Sequence, residues 1–370
     1  MVAQAIVHEP PVKDIAPAVS IIVIAFNEID LIGECLTLLL TQSYSNFEVI
    51  VYDNASTDGT ADYIAQNFPQ VRLLRGTENL GFGGANNQAA QLARGKYLAF
   101  VNDDAYVTPN WLEPIIDLME SDPSIGGASA ELMCLEDKDV VLCHGNGIHL
   151  SGVAYLKDRG QHAKPAASIE AGAISGAAFV INRELFLEVG GFESMFFLYY
   201  EDTDLSLRLR LLGKRCVAVP GAVVYHNSES RFGLQKLFFL ERNRYLSLFT
   251  LIRADLLFWM APSMLVMELL SWGYAFLQGK DALQTKARAW RDVYNHRAWI
   301  QNRQCAYTHK LSPADLLDVF TPEIHMEYVN SSKLTGRIAW LIGYLVAAPT
   351  FFVFHLYKIV KTKIKRDLGN

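Results

Sequence analysis

Five short clusters in this sequence combine residue types able to hold, move or bind charge. Asn102-Asp103-Asp104 sets two carboxylates beside an amide, and hard oxygen ligands of this kind suit Mg2+ or Mn2+ bound together with substrate phosphates. A divalent ion there would neutralise charge developing on a diphosphate leaving group. The same residues, running on to Thr108-Pro109, also suit a solvated Asx-type turn. Asp53, in Asp53-Asn54-Ala55-Ser56-Thr57-Asp58-Gly59, only accepts hydrogen bonds when ionised. It therefore matches a base with a ring N–H, as in uracil, thymine or guanine, and not cytosine, which presents an acceptor there. Asp53 and Ser56 would serve equally to cap a helix starting near Asp58.

Glu201-Asp202-Thr203-Asp204 follows the aromatic run Phe196 to Tyr200 and sits at a helix start. The helix dipole favours acidic residues in that place, and a carboxylate there is also suited to take a proton from an acceptor hydroxyl as general base. Tyr225-His226-Asn227 closes a strand-like run, where a neutral His is either structural or completes a metal site. Asn79-Leu80-Gly81-Phe82-Gly83-Gly84-Ala85-Asn86-Asn87 opens a helix, a position from which backbone N–H groups can approach phosphates or a ribose. Its likeness to a dinucleotide fingerprint is incomplete: the third glycine is missing, and the loop follows a third strand instead of a first.

The elements that must position these clusters alternate between β-branched runs and helical patterns, the mark of βαβ units and a parallel sheet. Strands are expected at Val19 to Ala25, Phe47 to Tyr52, Val71 to Arg75 and Tyr97 to Val101, with a helix over Ile29 to Leu40. Ligands of such sheets bind at the carboxyl ends of the strands. Phe26-Asn27-Glu28, Asp53 to Gly59 and Asn102 to Asp104 are therefore expected to converge on one edge. Beyond Gly126 the pattern loosens, then tightens at Ile174 to Asn182 and at a helix over Asp202 to Leu212. In that helix Leu205, Leu209 and Leu212 share a core face, Arg208 and Arg210 point elsewhere, and Gly213 ends it.

The 370 residues are 51% hydrophobic, enough for a substantial core, and the net charge of -6 argues against a nucleic-acid binder. Five cysteines without a CxxC pair read as reduced thiols rather than a disulfide framework or zinc site. Residues 1–18, with three prolines and no apolar run, read as a loose leader and not a secretory signal, which directs the catalytic part to the cytoplasm.

Past Gly233 comes an Arg-bearing helix around Glu241 to Arg253, then two apolar stretches, Leu256 to Leu277 and Ile338 to Tyr357. Each matches a hydrocarbon core of roughly 30 Å in length. Basic residues flank both on both sides: Arg242, Arg244 and Arg253, then Lys280, Lys286 and Arg288, then Lys333 and Arg337, and finally Lys358 to Arg366. All these flanks belong in the cytoplasm by the positive-inside rule, which single crossings cannot satisfy. Segments that enter and return at Pro262 and Pro349, or helices lying in the interface, can satisfy it; buried core helices are the alternative. A basic tail beside anionic headgroups would suit a lipid-linked acceptor.

The order of motifs resembles the family 2 glycosyltransferases with the GT-A fold, and among them bacterial rhamnosyltransferase-like members that build cell-surface polysaccharides. The resemblance runs from Val19 to about Arg244, through SIIVIAFNE, VYDNASTDGT, ENLGFGGANN, FVNDDA, ISGAAFVINRELFLEVGGF, FFLYYEDTDLSLRLRLLG, VVYHN and RNRY. It implies a doubly wound, mostly parallel α/β sheet flanked by helices, followed by a helical, hydrophobic C-terminal region. The implied division is a nucleotide-sugar-binding half over 19–125, an acceptor-binding and catalytic half over 126–232, and a membrane-associated region over 233–370.

The resemblance further implies an inverting, metal-dependent enzyme that moves a sugar from a nucleotide diphosphate donor to a glycan or lipid-linked glycan. L-Rhamnose from dTDP-rhamnose is the closest match, and UDP- or GDP-sugars are alternatives. It would work at the cytoplasmic face of the inner (plasma) membrane. Phe26, Asn27, Glu28, Asp53, Asn79, Gly81, Gly83 and Asn86 would hold the nucleotide, and Asp104 and His226 the Mg2+ or Mn2+. Asn102 replaces the first Asp of the metal motif, which turns it toward ribose contact, beside Asp103. Asp202 would be the catalytic base with Glu201 orienting the helix start, and Arg242 and Arg244 would approach the diphosphate or the acceptor. A nucleotide-sugar-binding module without catalysis is disfavoured because Asp104 and Asp202 are both present. An NAD-dependent oxidoreductase is disfavoured because Phe26-Asn27-Glu28 stands where its glycine fingerprint would be.

Overall fold

The structure is a computed structural model that describes residues 16–163, 166–227, 233–307 and 316–322, and the backbone of residues 6–8. The chain divides into two compact units. The first takes in Met1–Asn146, Leu156–Leu209 and Gly213–Arg231, and the second Gly147–Tyr155, Arg210–Leu212 and Phe232–Asn370.

In chain order the first unit opens with β1 (Ile6–His8), β2 (Val19–Ala25), α1 (Ile32–Leu40), β3 (Phe47–Asp53), α2 (Thr60–Asn67), β4 (Arg72–Arg75) and α3 (Gly81–Leu92). It goes on through β5 (Tyr97–Asn102), β6 (Ala105–Val107), α4 (Leu112–Ser121), β7 (Ile125–Cys134) and β8 (Val141–Cys143). After β9 (Asn146–His149) and β10 (Ala154–Leu156), which fall largely in the second unit, come β11 (Ile169–Ala171), β12 (Ala178–Asn182), α5 (Arg183–Glu188), α6 (Glu201–Leu211) and β13 (Arg215–His226). One sheet runs in the order β1-β4-β3-β2-β5-β12-β7-β13-β11. Its parallel heart β4-β3-β2-β5 is continued by the antiparallel β12, and β7 and β13 pair in parallel beyond it.

The parallel strands are covered on both faces, which is why they read as unbroken apolar runs. Val19, Ile21, Val23 and Ala25 of β2 face a core shared with Ile32, Leu36 and Leu39 of α1 and Trp111. On the other face Phe100 stacks on Phe179, with centroids 4.9 Å apart, and meets Phe186 and Phe192 at 5.1 and 5.3 Å. Helix α6 departs from the expected pattern at Arg208. Arg208 points into the core, where its Nε donates to Asp204 Oδ2 at 2.8 Å and its Nη1 to the Val189 and Gly191 carbonyls. A buried guanidinium is tolerable because those three acceptors take up Nε and Nη1 and Asp204 supplies the counter-charge, although Nη2 is buried without a partner.

The second unit contains α7 (Leu234–Leu251), α8 (Ala254–Gln278), α9 (Lys280–Asn295), α10 (Arg297–Ala306) and β14 (Phe320–Thr321). In a small second sheet β9 lies between β10 and β14. The first apolar stretch is a single helix that continues through Pro262, so it does not fold back at that proline as a re-entrant segment would. The second stretch, Ile338 to Tyr357, and the basic residues Lys333, Arg337 and Lys358 to Arg366 lie outside the described residues, as does most of the leader.

Candidate active site

Sheet register brings three of the polar clusters together. Ile24 pairs with Asn102 and Ala25 with Asp53, so β2, β3 and β5 end level and the loops after them share one edge. Two of those loops are tied to each other: Asn27, at φ +58°, accepts from the Thr57 N–H at 2.8 Å and donates its own N–H to Ser56 Oγ at 3.0 Å. This leaves the Phe26 ring 42% exposed at the rim. Asp53 is buried, and its Oδ2 accepts from the Ser56 N–H at 3.3 Å. Its Oδ1 is buried without a hydrogen-bond partner. Burial raises its pKa against the opposing pull of Ser56 and Arg75. Neither Asp53 nor Ser56 caps α2: its N-cap is Gly59, and Asp58 just before it accepts from the Thr60 N–H at 3.0 Å and from the Thr60 hydroxyl.

Asp104 precedes β6, and His226 pairs with Ala105 across the β13–β6 ladder. That register sets His226 Nε2 3.1 Å from Asp104 Oδ1, in contact but not aligned for a hydrogen bond. His226 Nδ1 donates to the Asn227 carbonyl at 2.9 Å, which in a neutral ring leaves the Nε2 lone pair facing a carboxylate. Such a pair calls for a proton or a cation. Burial pulls the His226 pKa down, and the Asp104 charge more than offsets it, so the imidazole is held above its ordinary value. Burial likewise opposes ionisation of Asp104, but His226 and the Asn102 amide leave its pKa lowered. Asp103 is pushed to about 7 by burial, with Asp104 and Glu28 adding to the rise. Glu28 is raised by burial and by Asp104, Asp58 and Asp30.

The donor set fits a hard divalent ion. Adjacent ligands of an octahedral ion with bonds of about 2.1 Å are about 3 Å apart, close to the Asp104–His226 separation. Among the described residues no three His, Cys, Asp or Glu side chains form a closed cage. Mg2+ and Mn2+ sites that share the ion with phosphates need only one or two protein ligands.

The sheet also links this edge to Asp202. The Asn102 N–H donates to the Ala177 carbonyl at 2.9 Å, and the neighbouring Gly176 N–H donates to Asp202 Oδ2 at 3.0 Å. Asn146 Nδ2 donates to the same oxygen at 3.1 Å, while Oδ1 accepts from the Thr203 N–H and hydroxyl at 2.6 and 3.2 Å. Asp202 keeps partial exposure, whereas Glu201 is buried with its Oε2 lacking a partner. Burial lifts both pKa values, that of Glu201 to about 8 with Asp202 adding to the effect. Four donors favour the charged form of Asp202, so the proton of the pair resides on Glu201. Phe197, Tyr199 and Tyr200, just before this pair, all have positive φ, a strain that clusters at functional sites.

The glycine loop has a structural use of its own. At its head, the Gly81 N–H donates to Asn79 Oδ1 at 2.8 Å, the Leu80 N–H to Asn54 Oδ1 at 2.9 Å and the Phe82 N–H to the Phe197 carbonyl at 2.7 Å. Those amides are spent within the protein and are not turned to a phosphate. Gly81 has φ +69°, and a Cβ there would lie 2.2 Å from the Phe197 carbonyl oxygen. At Gly83 it would press on Phe192 at 3.0 Å, and Asn86 Nδ2 turns back to the Phe82 carbonyl. The loop thus seats the strained aromatic segment that leads into Glu201-Asp202.

The model of the glycosyl transferase family 2 matches residues 20–187 of this chain. An N-acetylglucosaminyl-diphospho-decaprenol L-rhamnosyltransferase of Mycobacterium tuberculosis is 30% identical over 209 residues, covering 50% of this chain and 68% of that protein. This chain belongs to glycosyl transferase family 2. An uncharacterized protein of Sinorhizobium fredii is 32% identical over 231 residues, 59% of this chain but 25% of that protein's length. The crystal structure of GalNAc-T7 with UDP, GalNAc and Mn2+ superposes with a TM-score of 0.54 at 16% identity, covering 69% of this chain and 51% of that one. That likeness shows the fold, which is of the GT-A type.

Two features of this family member escape sequence reasoning. Asn146 grips both Asp202 and the Ile174 carbonyl, at 3.1 and 3.0 Å, yet a single Asn in a loosely patterned region carries no spacing signal. His144 is buried between Glu131 Oε1 at 2.9 Å and Asp158 Oδ2 at 3.2 Å, three residues far apart in sequence. Glu131 Oε2 also accepts from the Gly221 N–H at the irregularity of β13, which identifies this trio as a brace for the sheet.

Arg242 and Arg244 belong to the second unit, where their guanidinium groups are committed. Arg242 meets Asp292 at 3.4 Å, and Arg244 meets Glu241 at 3.1 Å, Glu268 at 3.5 Å and the Ser151 carbonyl at 3.0 Å. Lys286 is fully buried against Glu241 and Glu268. Their expected role as basic flanks facing headgroups is therefore replaced by internal ion pairing.

Proposed function

We propose that this chain is an inverting glycosyltransferase that moves a sugar from a nucleotide diphosphate donor to a hydroxyl of a glycan or lipid-linked glycan, in cell-surface polysaccharide synthesis. The observation that carries this reading is the Asp202 carboxylate. It is partly exposed, fixed by four donors, and joined through Gly176, Ala177 and Asn102 to the strand ends that bear Asp53 and the Asp104–His226 pair.

In this reading the unpartnered Asp53 Oδ1 accepts the ring N–H of the base, and the exposed Phe26 ring lies beside it at the rim. Asn27, Glu28, Asn102 and Asp103 complete the nucleotide side of the edge. Asp104 and His226 hold Mg2+ or Mn2+, which when bound neutralises charge on the departing diphosphate. Asp202 takes the proton of the acceptor hydroxyl. The acceptor oxygen then bonds to the anomeric carbon as the bond from that carbon to the diphosphate oxygen breaks, and the electron pair leaves with the nucleotide diphosphate. A single displacement of this kind inverts the anomeric centre.

The Mycobacterium tuberculosis relative is named for L-rhamnosyl transfer to a lipid-linked sugar, which supports dTDP-rhamnose as donor and a lipid-linked acceptor here. A nucleotide-sugar donor together with such an acceptor supports a site of action at the cytoplasmic face of the inner membrane. The test is a panel of dTDP-, UDP-, GDP- and CDP-sugars with Mn2+, read first as thermal stabilisation and then as release of the nucleotide diphosphate. dTDP-rhamnose is expected to stabilise most and CDP-sugars least. Equal stabilisation by CDP-sugars would remove Asp53 from base recognition, and binding without release to any acceptor would leave a binding module.

A further inference from the structure

We infer that the α8–α9 hairpin docks flat on a bilayer surface rich in anionic headgroups, with α8 lying in the interface and not crossing it. This rests on the membrane-surface part of the proposed function and moves the anchor from the tail to the helical unit.

With 25 residues α8 is about 37 Å long, and it is apolar enough to cross a membrane by length and composition. Three observations set it on the surface. The helix is two-sided: Leu256, Met260, Ser263, Met267 and Ala275 are buried, whereas Phe258, Leu265, Leu269 and Phe276 are 74%, 62%, 65% and 71% exposed. The exposed four recur at intervals of seven, four and seven residues, which places them on one face, and Leu277 at 80% exposure extends it. An apolar stripe of this extent on a soluble surface marks an interaction site.

Secondly, α8 is fastened to its neighbours at mid-length. Glu268 accepts from Tyr245 Oη of α7 at 2.6 Å and from Trp290 Nε1 of α9 at 2.6 Å, and it meets Lys286 Nζ at 3.0 Å. A crossing by α8 would therefore drag α7 and α9 into hydrocarbon. Thirdly, α9 and the start of α10 cannot follow, because Lys280, Arg288, Arg291 and Arg297 are exposed there against one exposed acid, Asp281. Inside the bilayer those cations would be costly, while at its surface they face lipid phosphates. The apolar stripe of α8 and the exposed cations of α9 and the start of α10 supply the two kinds of contact that a membrane interface offers.

The test is flotation of the full chain with vesicles of phosphatidylcholine alone or mixed with phosphatidylglycerol. Leu265→Ser/Leu269→Ser is expected to lower partitioning about tenfold or more on both, with an unchanged far-UV spectrum and thermal midpoint. Arg288→Glu/Arg291→Glu is expected to lower it only where phosphatidylglycerol is present, and alkaline carbonate is expected to release the bound wild type. Wild-type flotation by the stripe variant, with loss instead in Leu341→Asp/Leu345→Asp, would overturn the inference and return the anchor to the tail. Resistance to carbonate would overturn it in favour of a crossing. A stripe variant that changes oligomeric state and leaves flotation alone would overturn it in favour of a second copy on this face. Failure of the wild type to float on either vesicle would remove the membrane reading itself, and transfer to a soluble acceptor would still report on the catalytic reading.

Discussion

Glu268 in the second unit and Asp103 in the first are both carboxylates drawn in from solvent, yet burial is outweighed at one and left standing at the other. Burial pushes Glu268 up, but Tyr245, Lys286 and Trp290 surround it with donors and its pKa ends below the ordinary value. Asp103 has like charges for company, Asp104 and Glu28, and is driven to about 7. Glu201 is driven to about 8 in the same way beside Asp202. Glu268 arrives with its counter-charge, whereas Asp103 and Glu201 are held beside other carboxylates without one. Such a deficit is what a divalent ion, or a proton taken from a substrate, would relieve.

The largest effect expected from that contrast is at Asp202. Asp202→Asn should lower the transfer rate about 10²–10⁴-fold, the range for loss of a general base, while calorimetry finds donor affinity unchanged. A matching loss of donor affinity would assign Asp202 to donor binding. Next is the hub of the second unit. Glu268→Ala leaves the fully buried Lys286 with Glu241 alone, and breaking a buried pair of this kind costs about 3–5 kcal/mol, to be read from urea unfolding. A cost below about 1 kcal/mol, the level of an exposed pair, would mean that the hub is solvated and the contrast between the units is not real.

A smaller effect is expected at Asn146, which supplies one of the donors to Asp202. Asn146→Ala should slow transfer about tenfold, on the scale of one lost hydrogen bond to a charged group. Because that bond favours the ionised carboxylate, its loss raises the Asp202 pKa, and the acid limb of the rate profile moves to higher pH. A packing role alone would lower the rate equally at every pH.

The parallel strands were legible in the sequence because burial on both faces writes itself as an apolar run, and the ends of β2, β3, β4 and β5 fall within a residue of where those runs stop. The polar clusters were legible for the same reason, since residues that come directly after a buried parallel strand are delivered to the sheet edge. The glycines of residues 81–84 were ambiguous. A residue without a side chain looks the same whether a phosphate or the Phe197 carbonyl takes the space. Lys286 and Arg244 misled in a related way, because a cation beside an apolar stretch has the same appearance whether it faces lipid or Glu268, which lies 18 and 24 residues away in sequence. The pairing of β9 with β14 was beyond reach: Ile148 meets Phe320 across a separation that no local pattern spans.

One further probe of the Glu201–Asp202 environment reads stability instead of rate. In the folded chain Glu201 keeps its proton up to about pH 8, whereas in the unfolded chain it gives that proton up near the ordinary carboxylate value of about 4.3. Between those limits the folded state binds more protons than the unfolded state, so the Glu201 contribution to stability falls as pH rises. Glu201→Gln carries no such proton and escapes the loss. Thermal midpoints of variant and wild type should therefore coincide near pH 4 and separate in favour of the variant toward pH 8, by roughly 2–4 °C for each kcal/mol involved. A gap that stays constant, or opens in favour of the wild type, would show that Glu201 is ionised in the fold. Glu201 would then resemble Glu268, and the charge of the Glu201–Asp202 pair would have to be met by a cation in the folded protein itself.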